Sequence, residues 1–143
     1  MSTHPSDANP VLQANEAFYR AFEQLDLSAM SSAWVHSPNA LCVHPGWDLL
    51  RGWATIERSF QLIFESTTYV EFDIEPLSVR MDGHQAWIVC YENLLTATEG
   101  PAERARILAT NAFVYDRTST WRLIHHHASQ IRISPPDLTV PRG

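Results

Sequence analysis

The stretch TYVEFDIEPLSVRM, Thr68 to Met81, decides the fold, because there the spacing of apolar residues changes from three-to-four to two. Val70, Phe72 and Ile74 fall on one side of an extended chain and Glu71, Asp73 and Glu75 on the other, which predicts a strand with one solvated face. Three more strands follow. The turn Asp82-Gly83-His84 leads into QAWIVCYENLLTA (85–97), EGPAE (99–103) breaks the chain, and RARILATNAFVYD (104–116) is a third strand. RTST (117–120) then turns into WRLIHHHASQIRI (121–133).

Upstream the pattern is helical. In NPVLQANEAFYRAFEQLD (9–26), Asn9 can cap and Pro10 can begin a helix whose Val11, Ala14, Phe18, Ala21, Phe22 and Leu25 recur at helical spacing. Asp26 offers a cap for a short second helix through Met30, Ala33 and Trp34, which HSPN (36–39) ends. ALCVH (40–44) is a brief strand, PGW (45–47) a turn, and RGWATIERSFQLIFES (51–66) a third helix with Trp53, Ile56, Phe60 and Ile63 on one stripe. Helices followed by antiparallel strands define an α+β fold with the helices on one sheet face. The expected organisation is a flexible terminus at 1–9, a single domain over 10–133 and an irregular tail at 134–143.

Composition excludes several functions. The chain has 143 residues and a net charge of −6, and its ten basic residues are all arginines with no basic cluster, so it lacks the footprint of a nucleic-acid binder. No apolar run approaches the ~20 residues of a membrane span, and the N-terminus carries no secretory pattern; a cytoplasmic protein is expected. Cys42 and Cys90 each lie in apolar segments outside any CxxC pair, and read as buried small residues in a reducing compartment.

On a regular strand the triplet His125-His126-His127 splits. His125 and His127 share a face with Trp121, Leu123 and Ser129, forming a polar ladder suited to a pocket wall, while His126 turns to a subunit interface or solvent. His44 could supply a third imidazole at the pocket mouth. A zinc ion on His44, His125 and His127 is chemically permissible but not specified by the spacing, and no metal or other cofactor is expected. Tyr91 and Asn111 fall on the strand face turned toward the helices, where each either contacts a ligand or completes an internal network. Trp34, Trp47 and Trp53 either shape an aromatic cavity or pack in the core. The Tyr19 hydroxyl reaches the cavity or its rim. Glu92 alternates away from Tyr91 and is expected at the subunit interface. His4, His36 and His84 read as solvated. Both alternating sets of the later strands hold large apolar residues, Trp87, Val89 and Tyr91 against Ile88, Cys90 and Leu94, so the face away from the helices is expected to meet a second copy in a homodimer.

ANEAFYRAFEQLDLSAMSSAW (14–34), CVHPGW (42–47), RGWATI (51–56), ATNAFVYD (109–116) and WRLIHHHAS (121–129), in that order, resemble the SnoaL-like branch of the nuclear transport factor 2-like superfamily. The chain is also similar to the association domain of calcium/calmodulin-dependent protein kinase type II. The resemblance implies a cystatin-like cone, N-terminal helices packed on a curved, mostly antiparallel sheet, with a pocket at one end and dimerisation through the outer sheet face. Residues matching the family motif are His44, Pro45, Gly46, Asn111, Trp121, His125, His127 and Ser129. Enzyme branches of the superfamily use a pocket carboxylate; no Asp or Glu is securely placed there by strand parity, and Asp48 is the nearest candidate.

The expectation is therefore a dimeric pocket protein for an unidentified small molecule, of isomerase or cyclase type on a small apolar carbonyl compound. His127 or His125 would act as acid or base, Tyr19 or Tyr91 would donate to the oxyanion, and Trp34, His44, Trp47, Tyr91, Asn111 and Ser129 would line the ligand site. The second possibility is a noncatalytic association module. Neither a Gly-rich loop nor an HRD motif is present, so kinase activity is not expected.

Overall fold

The computed structural model describes residues 7–132, 135, 136, 138 and 139. His4 and most of the expected N-terminal segment and C-terminal tail lie outside the described residues. Three helices, α1 (Ala8–Glu23), α2 (Leu27–Ala33) and α3 (Trp53–Ser66), precede or interleave six strands. These are β1 (Leu41–Val43), β2 (Leu50–Arg51), β3 (Tyr69–Asp82), β4 (Gln85–Ala97), β5 (Glu103–Tyr115) and β6 (Trp121–Gln130). They form one sheet in the order β2-β1-β6-β5-β4-β3, antiparallel except where β1 pairs with β6. The α+β architecture matches the expectation.

α1 begins two residues before the position expected from the Asn9 cap. Asp7 occupies the cap without a side-chain bond, and Pro10 sits in the first turn, where a missing N–H costs nothing because no intrahelical acceptor faces it. α2 is capped as expected, with Asp26 Oδ1 accepting from the Ala29 amide at 3.0 Å. Phe18 and Phe22 on α1, Phe60 on α3, Phe72 on β3 and Trp34 after α2 form an edge-to-face cluster between helices and sheet. The buried rings of this cluster, Phe18, Trp34, Phe60 and Phe72, each contribute about 2–3 kcal/mol through area removed from water, and Phe22 is partly buried beside them. Glu23, at the end of α1, accepts from the Phe72 amide at 2.8 Å and so ties the helix to the sheet. Arg122 of β6 donates to the Ser32 carbonyl and to Asp116, fastening α2 to the strand.

Two bulges control which side chains face the helices. In β3 the pairing steps from Pro76 to Ser78, leaving Leu77 unpaired and 48% exposed. In β6 Ala112 pairs with His125 but Phe113 pairs with Leu123, so Ile124 is an extra residue. One extra residue reverses the alternation beyond it. Trp121 and Leu123 point inward before the bulge, and His126 and Ala128 point inward after it. The expectation that His125, His127 and Ser129 face the pocket while His126 turns away is thus reversed: His126 is 3% exposed and packs its ring 5.0 Å from Phe18.

β4 is also turned over relative to expectation. Ala86, Ile88, Cys90 and Glu92 are buried against the helices, and Trp87, Val89 and Tyr91 lie half-buried on the outer face. Tyr91 stacks under the Arg106 guanidinium, 3.8 Å from the ring centre, rather than facing a ligand. Glu92 sits in the interior rather than at the outer face.

Candidate functional site

An inward cavity of about 270 Å³ opens beside α1, α3 and β4–β6. Its wall is mostly apolar, with Phe22, Ile63, Phe72, Leu94 and Ile107, and it carries three buried polar side chains: Glu92, His44 and His126. Trp47, 43% exposed, and the exposed Gln130 stand at the mouth.

Glu92 is the chemical centre. Its Oε2 accepts a hydrogen bond of 2.5 Å from the Tyr19 hydroxyl, and no ion pair reaches it among the described residues. Burial pushes the carboxyl up from 4.5 to about 7, and the Tyr19 bond partly opposes that rise. Tyr19 in turn accepts from Asn111 Nδ2 at 3.0 Å, and the same amide nitrogen donates to Asn15 Oδ1 at 2.8 Å. Asn111 Oδ1 lies 2.5 Å from His126 Nδ1; as that oxygen can only accept, Nδ1 carries the proton and Nε2 is bare. Burial, reinforced by the neighbouring histidines, holds His126 well below the usual imidazole range. The helix supplies this network through Asn15 and Tyr19, one turn apart on its buried face.

His44 follows Cys42 on the inward side of β1 and lies with its ring centre 6.5 Å from that of His126. Its Nε2 is 2.8 Å from Ser59 Oγ, whose proton is given to the Ile56 carbonyl, so Nε2 is the donor. Burial lowers His44 to about 4. Burial raises the Cys42 thiol far above its ordinary value and Cys90 to about 11, which makes neither a thiolate nucleophile at neutral pH.

The sequence-derived candidates therefore separate into groups. His44 and Trp47 line the cavity, while Tyr19 and Asn111 form the network behind it. Trp34 is 1% exposed and packs against Phe18, Trp53 and Phe60 in the core, away from the cavity wall. His125, His127, Ser129 and Tyr91 lie on the outer face, so His125 and His127 cannot converge with His44 on one metal ion. Among the described residues, no group of three or more His, Cys, Asp or Glu side chains is arranged to hold a metal. Asp48 is exposed and accepts from the Leu49 amide within its own loop. Glu92, His126 and Asn15 were not expected in the site. Their signal was a charged or polar residue in phase with buried ones: Glu92 with Ile88 and Cys90, and Asn15 with Val11 and Phe18. No helix among the described residues is long and apolar enough to cross a membrane.

Comparison with known proteins agrees with this architecture. A provisionally assigned dehydratase of the nuclear transport factor 2-like family from Streptomyces avermitilis superposes with a TM-score of 0.83 at 35% identity, covering 90% of this chain and 98% of that one. A provisionally assigned calcium/calmodulin-dependent protein kinase type II association domain from Thiobacillus denitrificans gives 0.74 at 28% identity, covering 83% and 93%. F-box protein SKIP8 of Arabidopsis thaliana is 25% identical over 130 residues, 91% of this chain; the chain spans about half, 53%, of that curated relative. The model of the SnoaL-like domain matches residues 11–133, and the chain belongs to that family, within the nuclear transport factor 2-like superfamily.

Proposed function

We propose that this chain is a small-molecule enzyme of general acid–base type, in which Glu92 takes a proton from a carbon next to a carbonyl and returns it to the same or a neighbouring carbon. The carrying observation is a carboxylate 3% exposed, hydrogen-bonded by Tyr19 and raised to about 7, on the wall of an apolar cavity. A buried carboxylate without a cationic partner costs stability, and a base with a proton affinity near the working pH is the usual return on that cost. As the C–H bond breaks, its electron pair moves into the bond toward the carbonyl and charge builds on oxygen. Donors at the mouth, the Gln130 amide and the Trp47 indole, are the groups free to meet that oxygen, since the Tyr19 proton is committed to Glu92. Tyr19 is thereby a positioning residue rather than the oxyanion donor. The cavity of about 270 Å³ suits a one- or two-ring substrate. Residues 10–133 act as the single catalytic domain, and two buried, free cysteines fit a cytoplasmic setting.

The test is deuterium exchange followed by proton NMR across small ketones such as 2-indanone and 2-tetralone. Wild type should catalyse exchange on at least one member, and Glu92→Gln should lose it by a factor on the order of 10²–10⁴. Exchange that survives Glu92→Gln would end the proposal.

A homodimer through the outer face is part of the same reading, and a purely associative role is the second one. Trp87, Val89, Tyr91 and the 37%-exposed Leu108 share that face, and the similarity to an association domain supports it. Sedimentation of wild type and Leu108→Glu decides this: a dimer turned monomer supports the interface, and a wild-type monomer removes it.

A further inference from the structure

The donors around the cavity are already spent. Tyr19 gives its proton to Glu92, Asn111 gives both amide protons to Asn15 and Tyr19, and His126 gives its Nδ1 proton to Asn111. His44 donates to Ser59, whose own proton goes to a backbone carbonyl, and the second nitrogen of His44 has the Cys42 thiol at 3.9 Å. Two acceptors remain at the inner end: Glu92 Oε1 and His126 Nε2. Among the described residues, the buried side-chain nitrogens and oxygens without a partner are the Trp34 and Trp121 indole nitrogens. His126 lines the cavity, and its Nε2 has no hydrogen-bond partner among the described residues. Among the described residues that line the cavity, the free donors are at the mouth, on Gln130 and Trp47, so the cavity is polarised from acceptors within to donors at the rim.

Resting on the acid–base reading of the same cavity, we propose that the bare Nε2 of His126 accepts a hydrogen bond from a hydroxyl of the ligand, which makes the substrate class neutral, apolar hydroxy-carbonyl compounds and excludes carboxylates. A hydroxyl enters first and satisfies Nε2, leaving any carbonyl oxygen toward the rim donors. At pH 8, where Glu92 is mostly ionised, an anion entering the same way would meet two lone pairs and no proton, in a setting where burial magnifies the mismatch.

The experiment uses the full chain at pH 8 with three probes of one shape: 2-naphthol, 2-methoxynaphthalene and 2-naphthoate, titrated calorimetrically. 2-Naphthol should bind about tenfold tighter than the methyl ether, the gain of one satisfied buried acceptor, and 2-naphthoate should bind weakest. The preference should vanish in His126→Leu and persist in His127→Ala, on the outer face. Should His126→Leu fail to fold, ¹⁵N NMR of wild type replaces it: His126 should show a protonated Nδ1 and a bare Nε2 whose resonance moves upfield with 2-naphthol. Equal binding of naphthol and ether, tightest binding of naphthoate, a protonated Nε2, or no binding by any probe up to millimolar concentration would overturn the proposal. A naphthol preference that holds while Glu92→Gln retains proton exchange would leave this inference standing and remove the base assignment alone.

Discussion

On the inner face of β6, His126 is 3% exposed, bonded through Nδ1 to Asn111 and held neutral. His125 and His127, its immediate neighbours on the outer face, lie with ring centres 6.3 Å apart, and His127 is exposed. Three identical side chains in a row thus have two unlike roles, and the residue that assigns them is Ile124, which has no direct partner in β5. The contrast teaches that burial and a committed hydrogen bond, not residue type, give a histidine a defined proton state.

Several measurements would break or sharpen that contrast between faces. The largest effect is the loss of exchange in Glu92→Gln described above. Next comes a pH-dependent change in stability. Glu92 has its folded value raised, from 4.5 to about 7, so the folded state holds its proton more tightly than the unfolded chain. Its contribution is full below the unfolded value and is lost as pH rises through the folded one. Glu92→Gln should therefore match wild type at pH 4 and exceed it by on the order of 3 kcal/mol at pH 8, measured by urea unfolding. No difference at pH 8 would place Glu92 in contact with water. His44, lowered to about 4, and His126 act with the opposite sign, their contribution being lost as pH falls below about 6.5.

Tyr19→Phe should cost about 1–2 kcal/mol, because Glu92 and Asn111 each lose a partner. It should also move the acidic limb of the kcat/KM profile to higher pH, since the lost bond is what restrains the carboxyl's rise. A purely structural Tyr19 would lower stability without moving the profile. The smallest effect belongs to the outer face: His127→Ala should leave exchange unchanged and stability within about 0.5 kcal/mol. A large loss of exchange there would restore the outer histidines as the catalytic pair.

Much of the fold was legible, because the switch from helical to alternating spacing near Thr68 and the turns at Gly83 and 117–120 follow from local chemistry. Glycine at 83, with φ +60°, closes the two-residue β3–β4 turn where alternation alone required a reversal. The site was less legible, for two physical reasons. A bulge is a pairing event between strands, so Ile124 looks like any strand isoleucine until β5 is laid beside it. β4 has large apolar residues on both faces, so alternation alone did not say which set is interior, and the expected facing of Glu92 and Tyr91 was the wrong way round. The charged residue in phase with Ile88 and Cys90 was the better guide, since a carboxylate in an apolar phase is costly enough to need a reason.

The 14-residue strand β3 stands at the end of the sheet order, with one edge that pairs with no other strand among the described residues. Glu71, Asp73 and Glu75 load it with negative charge, Pro76 removes a donor, and the kink at Leu77 spoils a straight template. Two copies brought edge to edge would repel before they could pair. This edge is thus a poor template for open-ended strand addition, the route to fibres.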